Sequence, residues 1–195
     1  MVCRKETELN GKVFAIETGR VARQADGACW VQLGDTIVMA TVVGAEEAVE
    51  GQDFFPLSVD YREKAFAAGK IPGGFFKREG KPSENEILSA RLIDRGVRPL
   101  FAEDYKCEVQ VMVSVLSADK ANDPDVLGIS AASMAILLSG IPWEGPIAGV
   151  RVARLDGKLV ANPTHEELAQ SDLDLVIAAT EDSIHMVEGE AQEIS

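Results

Sequence analysis

Alternation of apolar and polar positions runs through most of the chain. In "KVFAIETGRVAR", Val13 and Ala15 alternate with Phe14 and Ile16, which reads as a strand closed by Gly19. "ACWVQLGDTIVMATVVG" reads as two strands around Gly34-Asp35, a hairpin dipeptide flanked by β-branched and apolar residues. "DFFPLSVDY" is a further strand, and Pro56, which has no N–H to donate, assigns it to an edge or a bulge. "CEVQVMVSVL" alternates along its length. Strands follow at "GPIAGVRVARLDG" and "KLVANP", and "LDLVIAATEDSIHMVEGEA" reads as a final hairpin.

The period becomes helical in three places. "KPSENEILSARLIDRGVRPLF" carries its own start signal: Ser83 as N-cap and Glu86 three residues later form a capping box. Ile87, Leu88, Leu92 and Ile93 supply the apolar stripe, and Pro99 ends the helix. Arg91, Arg95 and Arg98 recur at spacings that put them on one face. "PDVLGISAASMAILLSG" is a helix rich in small residues, suited to close packing on a sheet. The triplet Asp123-Pro124-Asp125 reads as its start, in preference to a set of metal ligands. "THEELAQ" is a short helix capped by Thr164. Strands come first and then mix with helices, which predicts an α+β fold. Its sheet is mixed or mostly antiparallel, with helices packed on one face.

Residues 62–82 break every period. Gly69, Gly73, Gly74 and Gly80 fall here with Pro72 and Pro82, and "GGFFKREG" forms the tip of what reads as a long loop. Phe75 and Phe76 have little nearby to pack against, and Lys77 and Arg78 follow at once. Rings that stack on bases beside cations that meet phosphates suit single-stranded nucleic acid, and arginine forks well onto phosphate oxygens. The alternatives are a phenylalanine pair folded back into the core, and an arginine face paired with Glu84, Glu86 and Asp94.

Charge sharpens this contrast. The 195-residue chain has a formal net charge of -13 and is 46% hydrophobic, enough for one well-filled domain. From Arg62 to Arg98 nine basic residues face five acidic ones, a local +4, against -17 for the remainder. That pattern fits a local anion-binding patch on a protein that otherwise repels polyanions. Cys3, Cys29 and Cys107 have neither disulfide nor zinc spacing, and a cytoplasmic setting is expected. No apolar run is long enough to span a membrane, and "MVCRKETELNGK" lacks the apolar core of a secretory signal. His165 and His185 read as structural or surface residues. Asp172 and Asp174 share one side of a strand and are a weak magnesium pair.

The stretches "ETGRVARQADGA", "DFFPLSVDYREKAFAAGKIPGGFFKREGKPSENEIL", "RLIDRGVRPLF", "NDPDVLGISAAS" and "GPIAGVRVARLDG" occur in an order that resembles the first ribonuclease PH-like domain of the polynucleotide phosphorylases. The resemblance implies a ribonuclease PH-like fold (ribosomal protein S5 domain 2-like) over 9–195, after an N-terminal extension at 1–8. It implies a part of a phosphorolytic 3′-to-5′ exoribonuclease that degrades mRNA, using inorganic phosphate to release nucleoside diphosphates, with Mg2+ needed by the intact enzyme. Implied partners are single-stranded RNA, a second ribonuclease PH-like domain, two further copies in a homotrimer, and other RNA-degradation proteins. It maps RNA contacts onto Phe75, Phe76, Lys77, Arg78, Arg91, Arg95 and Arg98. Lys77 departs from the family's arginine, and Gly96 stands where a larger residue or proline is usual, which suggests a looser last helical turn.

The same resemblance implies that this domain holds neither catalytic residues nor a metal site. Asn122-Asp123-Pro124 replaces the phosphate loop of active relatives, Val176 stands in place of a lysine, and Leu168 is near the place of an aspartate; only Asp174 is kept. The stop at "GEAQEIS" leads to the expectation of a fragment of a longer protein. Two other readings stay open: a self-sufficient ribonuclease PH-like enzyme, and an assembly module whose loop touches no RNA.

Overall fold

In the computed structural model the described residues are 1–119 and 121–192; position 120 and the last three positions of the expected 9–195 domain lie outside them. The chain opens with a hairpin of β1 (Cys3–Leu9) and β2 (Lys12–Thr18), in register from Cys3 opposite Thr18 to Leu9 opposite Lys12. Asn10 and Gly11 make the two-residue turn with φ of 53° and 72°, the left-handed pair such a turn requires. Residues 3–8, read as an N-terminal extension, are therefore strand paired to β2. Their side chains are exposed, so backbone pairing makes the strand and hydrophobic patterning is silent there.

The hairpin continues into β3 (Gly27–Leu33) and β4 (Thr36–Gly44), joined at Gly34-Asp35 as the sequence predicts. β5 (Leu57–Glu63) and β6 (Val109–Ser117) complete a six-stranded sheet of order β1-β2-β3-β4-β6-β5. Among the described residues its one parallel pairing is β5 with β6, and β5 lies at the edge, where Pro56 placed it. The later strands do not extend this sheet. β7 (Ala148–Leu155), β8 (Lys158–Ala161), β9 (Leu173–Ala179) and β10 (Ile184–Ala191) form a second, antiparallel sheet of order β10-β9-β7-β8.

Helix α1 (Glu84–Val97) lies against β5. Helix α2 (Pro124–Ser139) packs on β3 and β4 from one side and on β7 from the other. It is apolar nearly all round, as a helix enclosed between two sheets must be. Its small residues let backbones touch. A Cβ on Gly27 would lie 2.0 Å from the Ala135 carbonyl oxygen, and one on Gly149 would lie 2.5 Å from that of Val126. The core joins Val31, Val38, Val42, Val111 and Val113 of the first sheet to Ile129, Ala132 and Ile136 of α2 and Ala178 of the second. Gly96 does not loosen α1. It is buried, with space for a Cβ only 3.3 Å from Ala178 Cβ, and the Arg98 N–H still donates to the Asp94 carbonyl. A short helix α3 (His165–Leu168) is capped by Thr164.

Candidate nucleic-acid interface

The loop from β5 to α1 is fixed at its base and open at its tip. On the outgoing limb, Ala65–Ala68 form one 3-10 turn, and the Ala67 carbonyl accepts from the Ala118 N–H at the end of β6. On the returning limb, Glu79 Oε1 accepts from the Ala65 N–H at 2.9 Å, and Arg62 Nη2 donates to the Gly80 carbonyl at 3.1 Å. The Ser83–Glu86 capping box starts α1, with Glu86 Oε2 accepting from Ser83 N at 2.6 Å and Ser83 Oγ from Glu86 N at 3.2 Å.

Between these anchors Phe75 is 93% exposed and Phe76 78%. The core alternative for this pair is thereby excluded. Their rings meet edge to face, with centroids 5.4 Å apart. Lys77 takes a left-handed φ of 50°, uncommon for a residue with a Cβ, and Lys77 and Arg78 are both exposed. Exposed single apolar residues are ordinary, but two phenyl rings on one tip with two cations are a patch suited to stacking.

The three arginines of α1 diverge. Arg98 is held in place: it makes two hydrogen bonds to Asp94, at 2.9 and 2.6 Å, donates to the Phe55 and Leu57 carbonyls, and lies 5.7 Å from the Phe55 ring centroid. Arg95 pairs with Glu188 of β10. Arg91 is exposed and joins no ion pair among the described residues. It lines a groove of about 360 Å³ between β5 and α1 together with Ile87, Ala90 and Pro82.

A cavity of about 400 Å³ opens where α1, the start of α2 and the second sheet meet. Arg151 of β7 lies in it. Its Nε and Nη2 donate to Asp174 at 2.7 and 2.6 Å, and it also pairs with Asp123, the N-cap of α2. The hydrogen bonds to Asp174 raise the guanidinium pKa despite burial, and Asp123 adds to the effect. Asp125 is pushed up, by burial first and then by the charge of Asp123. Glu63 and Glu188 complete a lining of five carboxylates around one guanidinium.

Such a site repels phosphate. The N-terminus of α2 would otherwise attract an anion, but Pro124 offers no N–H and Asp123 and Asp125 flank it. The donor set does not suit magnesium, because Asp123 and Asp174 already face a cation in Arg151. Asp172 pairs in turn with Arg154, at 2.8 and 2.6 Å.

Sequence reasoning did not single out Arg151. In "GVRVARL" it reads as one polar position of an alternating strand, and its partners are 28 and 23 residues away. The available signal was the pair of aspartates themselves, Asp123 and Asp174, which need a cation if both are to be partly buried. His165 is half exposed, with Nε2 3.5 Å from Asp123, and His185 hydrogen-bonds to Ser183. The three cysteines are free; the buried Cys29 thiol donates to the Ala131 carbonyl, and burial pushes its pKa up to about 12. Among the described residues no helix is long and apolar enough to cross a membrane.

A loop tip of two rings and two cations, and an acidic pocket around Arg151, lie on a two-sheet α+β frame. The family description "3' exoribonuclease family, domain 1" matches residues 11–142, and "3' exoribonuclease family, domain 2" matches 145–195. The chain belongs to the 3′ exoribonuclease family.

Within the family it is similar to the polyribonucleotide nucleotidyltransferase of Thermomicrobium roseum, at 59% identity over 195 residues, all of this chain and 25% of that protein. It is 58% identical over 192 residues to that of Gluconobacter oxydans, covering 98% of this chain and 27% of that protein. The chain thus spans about a quarter of the length of these relatives. The rice (Oryza sativa) Rrp46 structure superposes with a TM-score of 0.68 at 15% identity, covering all of this chain and 82% of Rrp46. The Archaeoglobus fulgidus exosome with RNA bound to its active site gives a TM-score of 0.66 at 19% identity, covering all of this chain and 79% of that one. At these identities the likeness is one of fold, and it agrees with the ribonuclease PH-like α+β class.

Proposed function

We propose that this chain is the RNA-guiding, non-catalytic first ribonuclease PH-like domain, residues 9–195, of a phosphorolytic 3′-to-5′ exoribonuclease that acts in mRNA degradation. The observation that carries this reading is the tip: the exposed Phe75–Phe76 pair with Lys77 and Arg78, on a loop anchored at its base. Bases stack on the rings while phosphates meet the cations, and Arg91 offers a further free guanidinium along α1. Arg95 and Arg98 reach RNA only by giving up Glu188 and Asp94.

Chemistry belongs elsewhere in this reading. The pocket around Arg151 is too acidic for inorganic phosphate, and Arg151 already occupies the facing carboxylates Asp123 and Asp174 that Mg2+ would need, so both act in a second ribonuclease PH-like domain of the intact cytoplasmic enzyme. The remaining surface serves a homotrimer and contacts with other RNA-degradation proteins.

The test is oligo(A) phosphorolysis by the purified chain with phosphate and magnesium, following ADP, beside binding of the same RNA. Binding without ADP is expected. Release of ADP would overturn the non-catalytic assignment. A loop that is protected by protein contacts while RNA fails to bind would favour an assembly module.

A further inference from the structure

The tip would be an inefficient RNA contact if it swung freely, because every encounter would have to order it. One side chain governs both ends of the loop. Glu86 Oε1 accepts from the Glu63 N–H, the last residue of β5, at 2.9 Å, while its Oε2 accepts from the Ser83 N–H at 2.6 Å. A single carboxylate therefore ties the residue where the loop leaves the sheet to the residue where it enters the helix. Glu79 and Arg62 add the Ala65 and Gly80 contacts just inside. Burial disfavours the charged form of Glu86, yet the amide N–H groups of Ser83 and Glu63 outweigh it and hold the carboxyl below its usual range. An ordinary capping box needs only the Ser83 half of this arrangement. The bond to Glu63 is additional and crosses the loop.

We propose that Glu86 is a positioning residue for RNA: it closes the base of loop 64–82 and so aims the Phe75–Arg78 tip. This inference rests on the RNA reading of that tip. Its signature has a sign opposite to simple electrostatics. Glu86→Gln removes a negative charge near a phosphate-binding tip, which on charge alone tightens RNA binding. A glutamine has one acceptor oxygen in place of two, so one of the two amide bonds is lost and positioning predicts weaker binding.

The experiment measures oligo(A) dissociation constants at several salt concentrations, with melting temperatures, for the protein and three variants: Glu86→Gln, Ser83→Ala, and Lys77→Ala/Arg78→Ala. Glu86→Gln is expected to weaken binding about threefold to tenfold through lost preorganisation, with an unchanged salt slope. Ser83→Ala, which removes the cap oxygen and leaves the Glu63–Glu86 bond, is expected to lower the melting temperature while keeping affinity within about twofold. If Glu86→Gln binds as well as or better than the parent while Lys77→Ala/Arg78→Ala binds worse, the positioning role is wrong and the RNA reading stands. Equal losses of affinity in Glu86→Gln and Ser83→Ala make Glu86 a helix cap only and also overturn the role. Unchanged binding in Lys77→Ala/Arg78→Ala overturns both.

Discussion

Arg151 and Asp174 face each other through two parallel hydrogen bonds, and Asp123 pairs with the same guanidinium from the start of α2. One cation thus joins β7, β9 and the helix between the sheets. Removing it leaves two partly buried carboxylates uncompensated beside Asp125. Arg151→Ala is expected to destabilise the fold by about 2–4 kcal/mol, toward the lower part of the range for broken buried pairs because the site is partly solvated. Urea unfolding checks this, and a loss no larger than that of a surface arginine variant would contradict it.

The tip offers two separable contributions. Lys77→Ala/Arg78→Ala is expected to weaken single-stranded RNA binding and to reduce the salt slope by up to about 1.4. Phe75→Ala/Phe76→Ala is expected to cost about 1–3 kcal/mol per stacked base with no change in slope. Binding titrations across a salt series distinguish the two.

Asp125 and Asp119, close in sequence, respond to acid in opposite directions. Folded Asp125 keeps its proton to higher pH than the unfolded chain does. Its ionisation therefore costs stability as pH rises above the unfolded pKa, up to the folded one. Asp125→Asn is expected to raise the melting temperature at pH 7. The gain vanishes in acid below the unfolded value. Asp119 is partly buried, which opposes ionisation, but the amide N–H groups of Ala121 and Asn122 hold its pKa down. Its stabilisation is present above the unfolded pKa and lost as pH falls through the folded one. Melting curves from acid to neutral pH read both.

Gly149→Ala tests the contact between α2 and the second sheet. The added Cβ would lie 2.5 Å from the Val126 carbonyl oxygen and 2.7 Å from Ile129 Cβ. Backbone must shift to admit it, and a loss of about 1–3 kcal/mol or more is expected in calorimetry. Gly157→Ala meets no neighbouring atom but has φ of 75°, so its smaller loss reports conformational strain alone.

What the sequence disclosed was local in origin. The Ser83–Glu86 capping box occurs as read, and Thr164 caps α3 as read, there closing a further box with Glu167 that the sequence reading did not name. Pro56 limited β5 to an edge or a bulge because a missing N–H is a property of one residue, and the edge is what occurs. β1 escaped because only Leu9 of "CRKETEL" is partly buried, although Asn10-Gly11 marked its turn. The division into two sheets escaped as well, since alternation identifies a strand and not its partner. On α1 the shared face of Arg91, Arg95 and Arg98 is a consequence of helix period. Their different partners are not, for Glu188 lies 93 residues from Arg95. Arg151 was hidden for the same reason.

The enclosure of α2 has a consequence for synthesis. When the chain has emerged only as far as residue 142, α2 can settle on β3 and β4, yet its other side still faces water. Cover arrives with β7, at Ala148–Leu155, and the strands that support β7 follow through Ala191. A nascent chain therefore carries an apolar helix flank for some fifty residues of translation, several seconds at ribosomal speeds of about 5–20 residues per second. That interval is when a ribosome-associated chaperone would engage this protein, and a pause placed within it would lengthen the exposure.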